Sequence, residues 1–313
     1  MKRLLTILAL LCCLNALAQE YGVVNISVCN MRDTAEFEAE MVSQALLGTP
    51  VHVLEVADNA WPRIQTPDTY TGWVHYAAIT RMTREEYHAW NAAPKVVVTA
   101  LSGIVHAAAS AQSATVSDVV AGDRLRYLRK KGCWLQVGFP DGRTGWLDAK
   151  TGMTEEKWRK GLSRDVQDIL ATAQSFLGFP YLWAGMSPKG VDCSGFVRAV
   201  LFMHDIIIPR DAGPQSRVGK RIGDPEALEP GDLVFFGKHR EDGSPRVSHV
   251  GFYLGDKRFI HSQGLVRISS FDPADPYYDA QNAGRYLFGG RVLPYIDKEE
   301  GLNTTLTNPY YAE

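Results

Sequence analysis

Beyond its first 18 residues the sequence contains no apolar run long enough to span a bilayer, so no stable membrane insertion is expected. Low-complexity tracts are missing too. Apolar residues make up 45% of the 313, enough for real cores and ordinary for a globular chain. Neither sign of charge dominates: 33 Lys and Arg stand against 35 Asp and Glu, for a net charge of -2. With no basic stripe, nucleic acid is not an expected partner. Neither a phosphate-binding glycine loop nor a metal-ligand cluster is present, so no cofactor and no metal is assigned. Cysteine is scarce, with five in the chain, which excludes a disulfide scaffold.

The first residues read Met-Lys-Arg, then an apolar stretch from Leu4 to Leu14, then Ala16-Leu17-Ala18 before Gln19. This is the basic, apolar and small-residue order of a signal peptide over 1–18, which implies export to the periplasm or the extracellular space. Cys12 and Cys13 raise lipoprotein processing, but Leu11 or Cys12 stands where a small residue is needed, so cleavage after Ala18 is expected instead. That leaves Cys29, Cys133 and Cys193. At most one disulfide, Cys29 with Cys133, is then open. These two fall in separate segments, so both are expected free and buried.

The chain is organised around residues 178–196. Gly178 to Gly185 is a turn-rich aromatic segment carrying Pro180, Tyr181 and Trp183. Asp192-Cys193-Ser194-Gly195-Phe196 then leads into Val197, Val200 and Leu201, apolar at helical spacing. Asp192 suits a helix N-cap, which puts Cys193 in the first turn, where free N–H groups and the helix dipole favour a thiolate. On its own such a cysteine can equally be a buried structural residue. Downstream, Pro230 to Phe236, Val247 to Leu254 and Arg258 to Ser262 read as strands, and the last two carry His249 and His261. A cysteine nucleophile needs a base, and the base needs a group that holds its tautomer. Two strand histidines after a helix-start cysteine fit those roles. Strand side chains alternate, so both can share a site only if an odd-length turn or a bulge lies between them. An odd-length turn, with His261 hydrogen-bonded to His249, is expected.

Pro-Tyr-x-Trp-x-Gly, Asp-Cys-Ser-Gly-Phe, Gly-Asp-Leu-Val-Phe-Phe, Ser-His-Val-Gly-Phe-Tyr and Phe-Ile-His-Ser, in this order over roughly 165–294, resemble the NlpC-type cysteine peptidases, a papain-like family that cuts peptidoglycan stem peptides. The resemblance implies Cys193 as nucleophile, His249 as base and His261 as orienting residue. It also implies substrate contacts from Tyr181, Trp183, Asp192 and Ser194. Arg210-Asp211 matches a turn that relatives use either to bind the α-carboxylate of D-glutamate or to order the groove. Ala184 stands where many relatives have a second glycine, a departure expected to narrow the groove.

Upstream, Asn30-Met31-Arg32, Gly48 to Leu54 and Gly72-Trp73-Val74 resemble a bacterial SH3-like barrel, and Gly145-Trp146-Leu147 repeats the closing strand. The expected class is α+β: a papain-like peptidase domain preceded by two small all-β SH3-like barrels. The expected boundaries are 19–81 and 94–150 for the barrels and 82–93 for a linker helix capped by Thr83. A second linker is expected over 151–163, the peptidase domain over 164–294, its first helix facing inward through Val166, Ile169, Leu170, Ala173 and Leu177, and a loosely ordered tail over 295–313. In relatives with this arrangement the first barrel walls the groove with an acid and a tyrosine that read the substrate's amino terminus. By position these are Glu40 and Tyr76. The expected activity is hydrolysis of the γ-D-glutamyl–diamino acid bond in fragments with a free N-terminal L-Ala, as in wall recycling, by a monomer. The rivals are a lytic hydrolase anchored on polymeric wall and a catalytically silent wall-binding scaffold.

Overall fold

The computed structural model describes residues 21–312. The export segment expected over 1–18 lies outside them. Short β-rich runs separated by turns form two seven-stranded sheets. The first holds β1 (Tyr21–Val24), β2 (Val28–Arg32), β3 (Met41–Leu46), β4 (Pro50–Val56), β5 (Pro62–Gln65), β6 (Thr71–Trp73) and β7 (Ile79–Met82). The second holds β8 (Lys95–Val98), β9 (Ser102–His106), β10 (Thr115–Val120), β11 (Arg124–Lys131), β12 (Trp134–Gly138), β13 (Thr144–Asp148) and β14 (Gly152–Thr154). Their orders, β3-β2-β6-β5-β4-β1-β7 and β10-β9-β13-β12-β11-β8-β14, correspond strand for strand. The two modules are thus one design used twice, each around its own apolar core.

Between them runs helix α1 (Arg84–Ala92), started by a capping box in which Thr83 and Glu86 satisfy each other's backbone N–H. It is more than a connector, since Tyr87 and Trp90 are buried. After β14, α2 (Glu155–Lys160) is likewise docked, with Trp158 buried and Arg159 bonded to Asp205 and Thr305.

The last domain opens with α3 (Val166–Gln174), which buries Ile169, Leu170 and Ala173. Leu177, expected on that face, lies past the helix end and is exposed; Phe176 fills the core position. A small hairpin of β15 (Met186–Ser187) and β16 (Gly190–Val191) precedes α4 (Cys193–Met203). The main sheet holds β17 (Lys220–Ile222), β18 (Leu233–His239), β19 (Pro245–Gly255), β20 (Arg258–Gln263), β21 (Leu265–Ser270) and β22 (Tyr286–Arg291), in the order β17-β22-β18-β19-β20-β21. Phe235, Val250, Phe252 and Ile260 of this sheet pack with Phe196, Val197 and Val200 of α4 in one buried cluster.

The tail expected to be loose is a strap. Asn303 pairs with Ile207, Asn308 donates to Pro67 O at 2.8 Å, and the Tyr310 hydroxyl donates to Gln65 at 2.8 Å. Its polar residues bond to the first barrel and to the segment just after α4, where Asp205 accepts from Thr305 N–H at 3.1 Å. Cys29, Cys133 and Cys193 are all free, and Cys133 is exposed where burial was expected. Among the described residues no helix is long and apolar enough to cross a membrane.

Candidate active site

Cys193 is the first residue of α4, and Asp192 caps that helix by accepting from Gly195 N–H at 2.6 Å. The start is fixed by a close backbone crossing: a Cβ on Gly195 would lie 1.9 Å from Gly185 O. Any other residue would push the helix off the aromatic segment. That segment is stitched to the strand end by Gly178 N–H to Val266 O and Tyr181 N–H to Gly264 O, each 2.9 Å. Within it Ala184 takes φ +59, the left-handed region that favours glycine. Its departure from glycine therefore strains the backbone as well as placing a methyl on the groove wall.

β19 and β20 are joined through a two-residue turn, Asp256-Lys257, with both residues left-handed. The expected odd-length turn is thus corrected. A register shift between Tyr253 and Gly255 restores the parity, so His261 sits opposite Gly251 and shares a face with His249. Gly251 is needed there, because a Cβ would lie 2.9 Å from that of His261. His249 Nε2 and His261 Nδ1 are 2.7 Å apart, with the rings nearly perpendicular.

Beyond His261 the chain of contacts continues through residues the motifs do not mark. His261 Nε2 lies 2.9 Å from Ser269 Oγ, which donates to Asp279 at 3.2 Å, while Asn282 donates to Asp279 through backbone and side chain. Burial alone would raise the Asp279 pKa, but the hydrogen bonds from Asn282 and Ser269 hold it below the usual value. An ionised Asp279 only accepts, so it takes the single hydroxyl proton of Ser269. Ser269 must then accept from His261 Nε2–H. His261 Nδ1 is left as an acceptor for His249 Nε2–H, and His249 Nδ1 carries the free lone pair. The relay therefore selects the tautomer of His249 that can take a proton.

Burial pushes the Cys193 thiol up to about 11, Asp192 adding to the rise, against backbone N–H groups of Val250 and Ser194 that lower it. Burial, with His261 and Arg285 beside it, pushes His249 down to about 3, and burial pushes His261 down to about 4. Burial thus favours the neutral form of all three groups. At Cys193 the lowering by the Ser194 N–H, expected from the helix start, opposes the rise from burial.

A groove of about 370 Å³ opens over Cys193. Tyr181, Trp183, Asp192, Ser194 and Asp211 line it from the peptidase side, and Glu40, Val42 and Tyr70 wall it from the first barrel. Tyr76, expected there, is instead 57% exposed and packed on His75. Tyr70 takes the place assigned to it, just before Thr71-Gly72-Trp73 rather than just after. Its loop is held from both sides, by Asp68 paired with Arg198 of α4 at 3.1 Å and by Asn308 on Pro67. Burial and the neighbouring Asp211 raise the Tyr70 phenol, so it stays a hydrogen-bond donor.

Arg210 does not face the groove. Only 2% exposed, it forks onto both oxygens of Asp192 at 3.2 and 2.6 Å and bonds Ser194 Oγ at 3.0 Å. Of the two roles the turn has in relatives, this geometry serves ordering of the groove, since the guanidinium is spent behind its wall. Asp211 does line it, with its carboxyl raised by burial despite the lowering effect of Arg210.

Comparison with known proteins matches residues 178–284 to the NlpC/P60 family, 31–79 to a bacterial dipeptidyl-peptidase Sh3 domain and 100–152 to a bacterial SH3 domain. The γ-D-glutamyl-L-lysine dipeptidyl-peptidase of Bacillus cereus is 34% identical over 258 residues, covering 79% of this chain and 76% of the relative. Dipeptidyl-peptidase 6 of Lysinibacillus sphaericus is 25% identical over 269 residues, 82% of this chain and 94% of the relative. A crystal structure of an NlpC/P60 family protein from Bacillus cereus superposes with a TM-score of 0.74 at 26% identity, covering 88% of this chain and 100% of that one.

Proposed function

This chain belongs to the NlpC/P60 family of cysteine peptidases, and from that premise we propose that it hydrolyses the γ-D-glutamyl–diamino acid bond of peptidoglycan stem peptides, acting on fragments whose L-Ala carries a free amine. Cys193 Sγ attacks the γ-carbonyl while its proton moves to His249 Nδ1. N–H groups at the start of α4 receive the developing oxyanion. His249 then returns the proton to the leaving α-amine, and water releases the dipeptide from the thioester by the same base. His261, Ser269 and Asp279 hold the tautomer throughout.

The observation that carries the specificity is the wall from the first barrel. Glu40 and Asp211 line the groove and are left to make its acidic end, because the nearby guanidinium, Arg210, is buried and neutralises Asp192. Such an end favours an ammonium, because carboxylates facing a neutral amide lack a counter-charge. The name of the Bacillus cereus relative, a dipeptidyl-peptidase, supports the same reading. One chain supplies both walls, so a monomer suffices. Export through residues 1–18 and a role in recycling wall fragments belong to the same proposal. The test compares kcat/KM for L-Ala-γ-D-Glu-diamino acid and its N-acetyl form. A cost of at least about 2 kcal/mol for the cap is expected, the scale of an unpaired buried polar group. Equal rates would favour an open groove and a lytic enzyme anchored on polymeric wall.

A further inference from the structure

A second cleft, of about 770 Å³, adjoins the groove at Ser248, which lines both. Its walls come from the end of β18, the start of β19 and the segment leading into β22. Lys238, Arg246 and Arg285 bring three fixed positive charges to it, and no Asp or Glu is among its lining residues. Arg285 is anchored at the junction, donating to Ser248 Oγ at 2.9 Å. The junction itself is built by a bulge. The β18–β19 register steps from Phe236 opposite His249 to Gly237 opposite Val247, leaving Ser248 as the extra residue beside the base. Arg285 is also close enough to add to the depression of both histidines that burial begins.

The two clefts differ in sign. Glu40 and Asp211 leave the groove over Cys193 acidic, Asp192 being neutralised by Arg210, and the cleft past Ser248, the chain neighbour of His249, is basic. A substrate whose amine lies at the Glu40 end and whose scissile carbon lies at Cys193 runs its leaving half toward Ser248. We propose that the basic cleft is the subsite for that leaving half and selects a diamino acid whose side chain ends in a carboxylate, as in diaminopimelate, over one ending in an amine alone, as in lysine. This rests on the γ-D-glutamyl peptidase reading and deepens it. Both diamino acids carry an ammonium on the side chain. Only diaminopimelate adds a carboxylate that a guanidinium fork can hold with two parallel bonds. On its side chain lysine brings only an ammonium into a cleft already carrying three cations.

The experiment uses the mature protein and four peptides. Three are L-Ala-γ-D-Glu followed by meso-diaminopimelate, by diaminopimelate amidated on its side-chain carboxylate, or by L-lysine. The fourth has D-isoglutamine in place of D-glutamate in the first. For meso-diaminopimelate, kcat/KM should exceed that for the amidated and lysine peptides by about tenfold or more, the scale of one charge-assisted hydrogen bond. Arg246→Gln and Arg285→Gln should each shrink that ratio, and the double variant should bring it close to one. Lys160→Gln, on the exposed side of α2, should leave it unchanged. Raising salt should also shrink the ratio, because partly exposed charges are screened. Equal rates on the free and amidated diaminopimelate peptides, or a ratio that survives the double variant, would overturn the assignment. If amidating D-glutamate instead removed the effect of the arginine variants, the cleft would read that carboxylate and the proposal would fall. No cleavage of any of the four would overturn the peptidase reading itself, and this inference with it.

Discussion

In the first barrel the loop over 33–40 is closed by Asp33 N–H to Glu40 O at 3.1 Å, and in the second the loop over 107–114 is closed by Ala107 N–H to Ala114 O at 2.8 Å. The loops have the same length and join equivalent strands, yet one reads Asp-Thr-Ala-Glu-Phe-Glu-Ala-Glu and the other Ala-Ala-Ala-Ser-Ala-Gln-Ser-Ala. A second pair of positions corresponds as closely. Thr66 N–H bonds Tyr70 O ahead of Thr71-Gly72-Trp73, and Phe139 N–H bonds Arg143 O ahead of Thr144-Gly145-Trp146. Glu40 and Tyr70 thus occupy the places of Ala114 and Arg143. In the first copy these places wall the groove. In the second, Arg143 reaches back to Asn25 O at 2.9 Å and fastens one barrel to the other. The same backbone serves as a groove wall or as a brace, according to two side chains and what each copy docks against.

The largest effects should fall outside both barrels. Cys193→Ala should lower kcat by several powers of ten, roughly 10⁴-fold or more, as when a nucleophile is lost. His249→Ala should be nearly as severe. Turnover assays on free and capped peptides should fall together, since these residues act on the bond and not on the amine. Activity retained in Cys193→Ala would end the cysteine mechanism.

Next come changes that convert the first barrel's wall toward the second's. Glu40→Ala and Tyr70→Phe should each reduce the preference for a free amine, Glu40→Ala by about 30-fold if it leaves the ammonium without a partner worth about 2 kcal/mol. The reciprocal Ala114→Glu should leave specificity alone, because that loop does not reach the groove. A matching loss from changes in the second barrel would break the contrast drawn between the two copies.

A smaller effect is expected from the relay. Asp279→Asn can donate to Ser269 and so frees His261 to adopt the other tautomer, which turns His249 Nδ1 from acceptor to donor. A loss of about 10- to 100-fold in kcat, with KM little changed, is expected when a group orients a catalytic one from behind. A change in KM alone would place Asp279 in binding.

How much of this was legible follows from how each residue is carried. Cys193, His249 and His261 lie in short contiguous motifs, where neighbouring residues announce the helix start and the strands. The two barrels were legible through their repeated Gly-Trp strands. Tyr70 was missed for Tyr76 because both flank the same Gly-Trp, and only packing decides which side meets the peptidase domain. Arg210 looked like a groove residue because sequence records a charge but not its burial. Ser269, Asp279 and Asn282 reach His261 from β21 and the turn after it, and no local spacing reveals that. The strap over 297–310 read as loose because its polar groups bond to partners more than 200 residues away, such as Pro67 and Gln65.

Acid should separate the regions by stability. His249 and His261 are held neutral, with pKa values of about 3 and 4, against an ordinary value of 6.5. Below 6.5 the unfolded chain binds protons that the folded sites refuse. The stability present above that value is therefore lost progressively as pH falls toward 4. His249→Gln with His261→Gln should flatten the decline in melting temperature between pH 6.5 and 4. An unchanged slope would mean that other groups, such as buried His204, whose pKa is also lowered by burial, set the acid limit.

The smallest expected effect lies at Arg143, the counterpart of Tyr70. Its guanidinium is partly exposed, pairs with Asp141 at 2.6 Å and bonds Asn25 through backbone and side chain. Because solvent screens such contacts, removing them should cost only about 0.5–1 kcal/mol. Arg143→Ala should therefore lower the melting temperature by a few degrees at most. The ratio of kcat/KM on free and N-acetylated peptide should stay where it was, since the brace lies away from Glu40 and Tyr70. Tyr70→Ala, at the corresponding place, should move that ratio. If Arg143→Ala changed it as much, the second barrel would be setting the position of the wall, and its role would extend from bracing the first barrel to choosing the substrate.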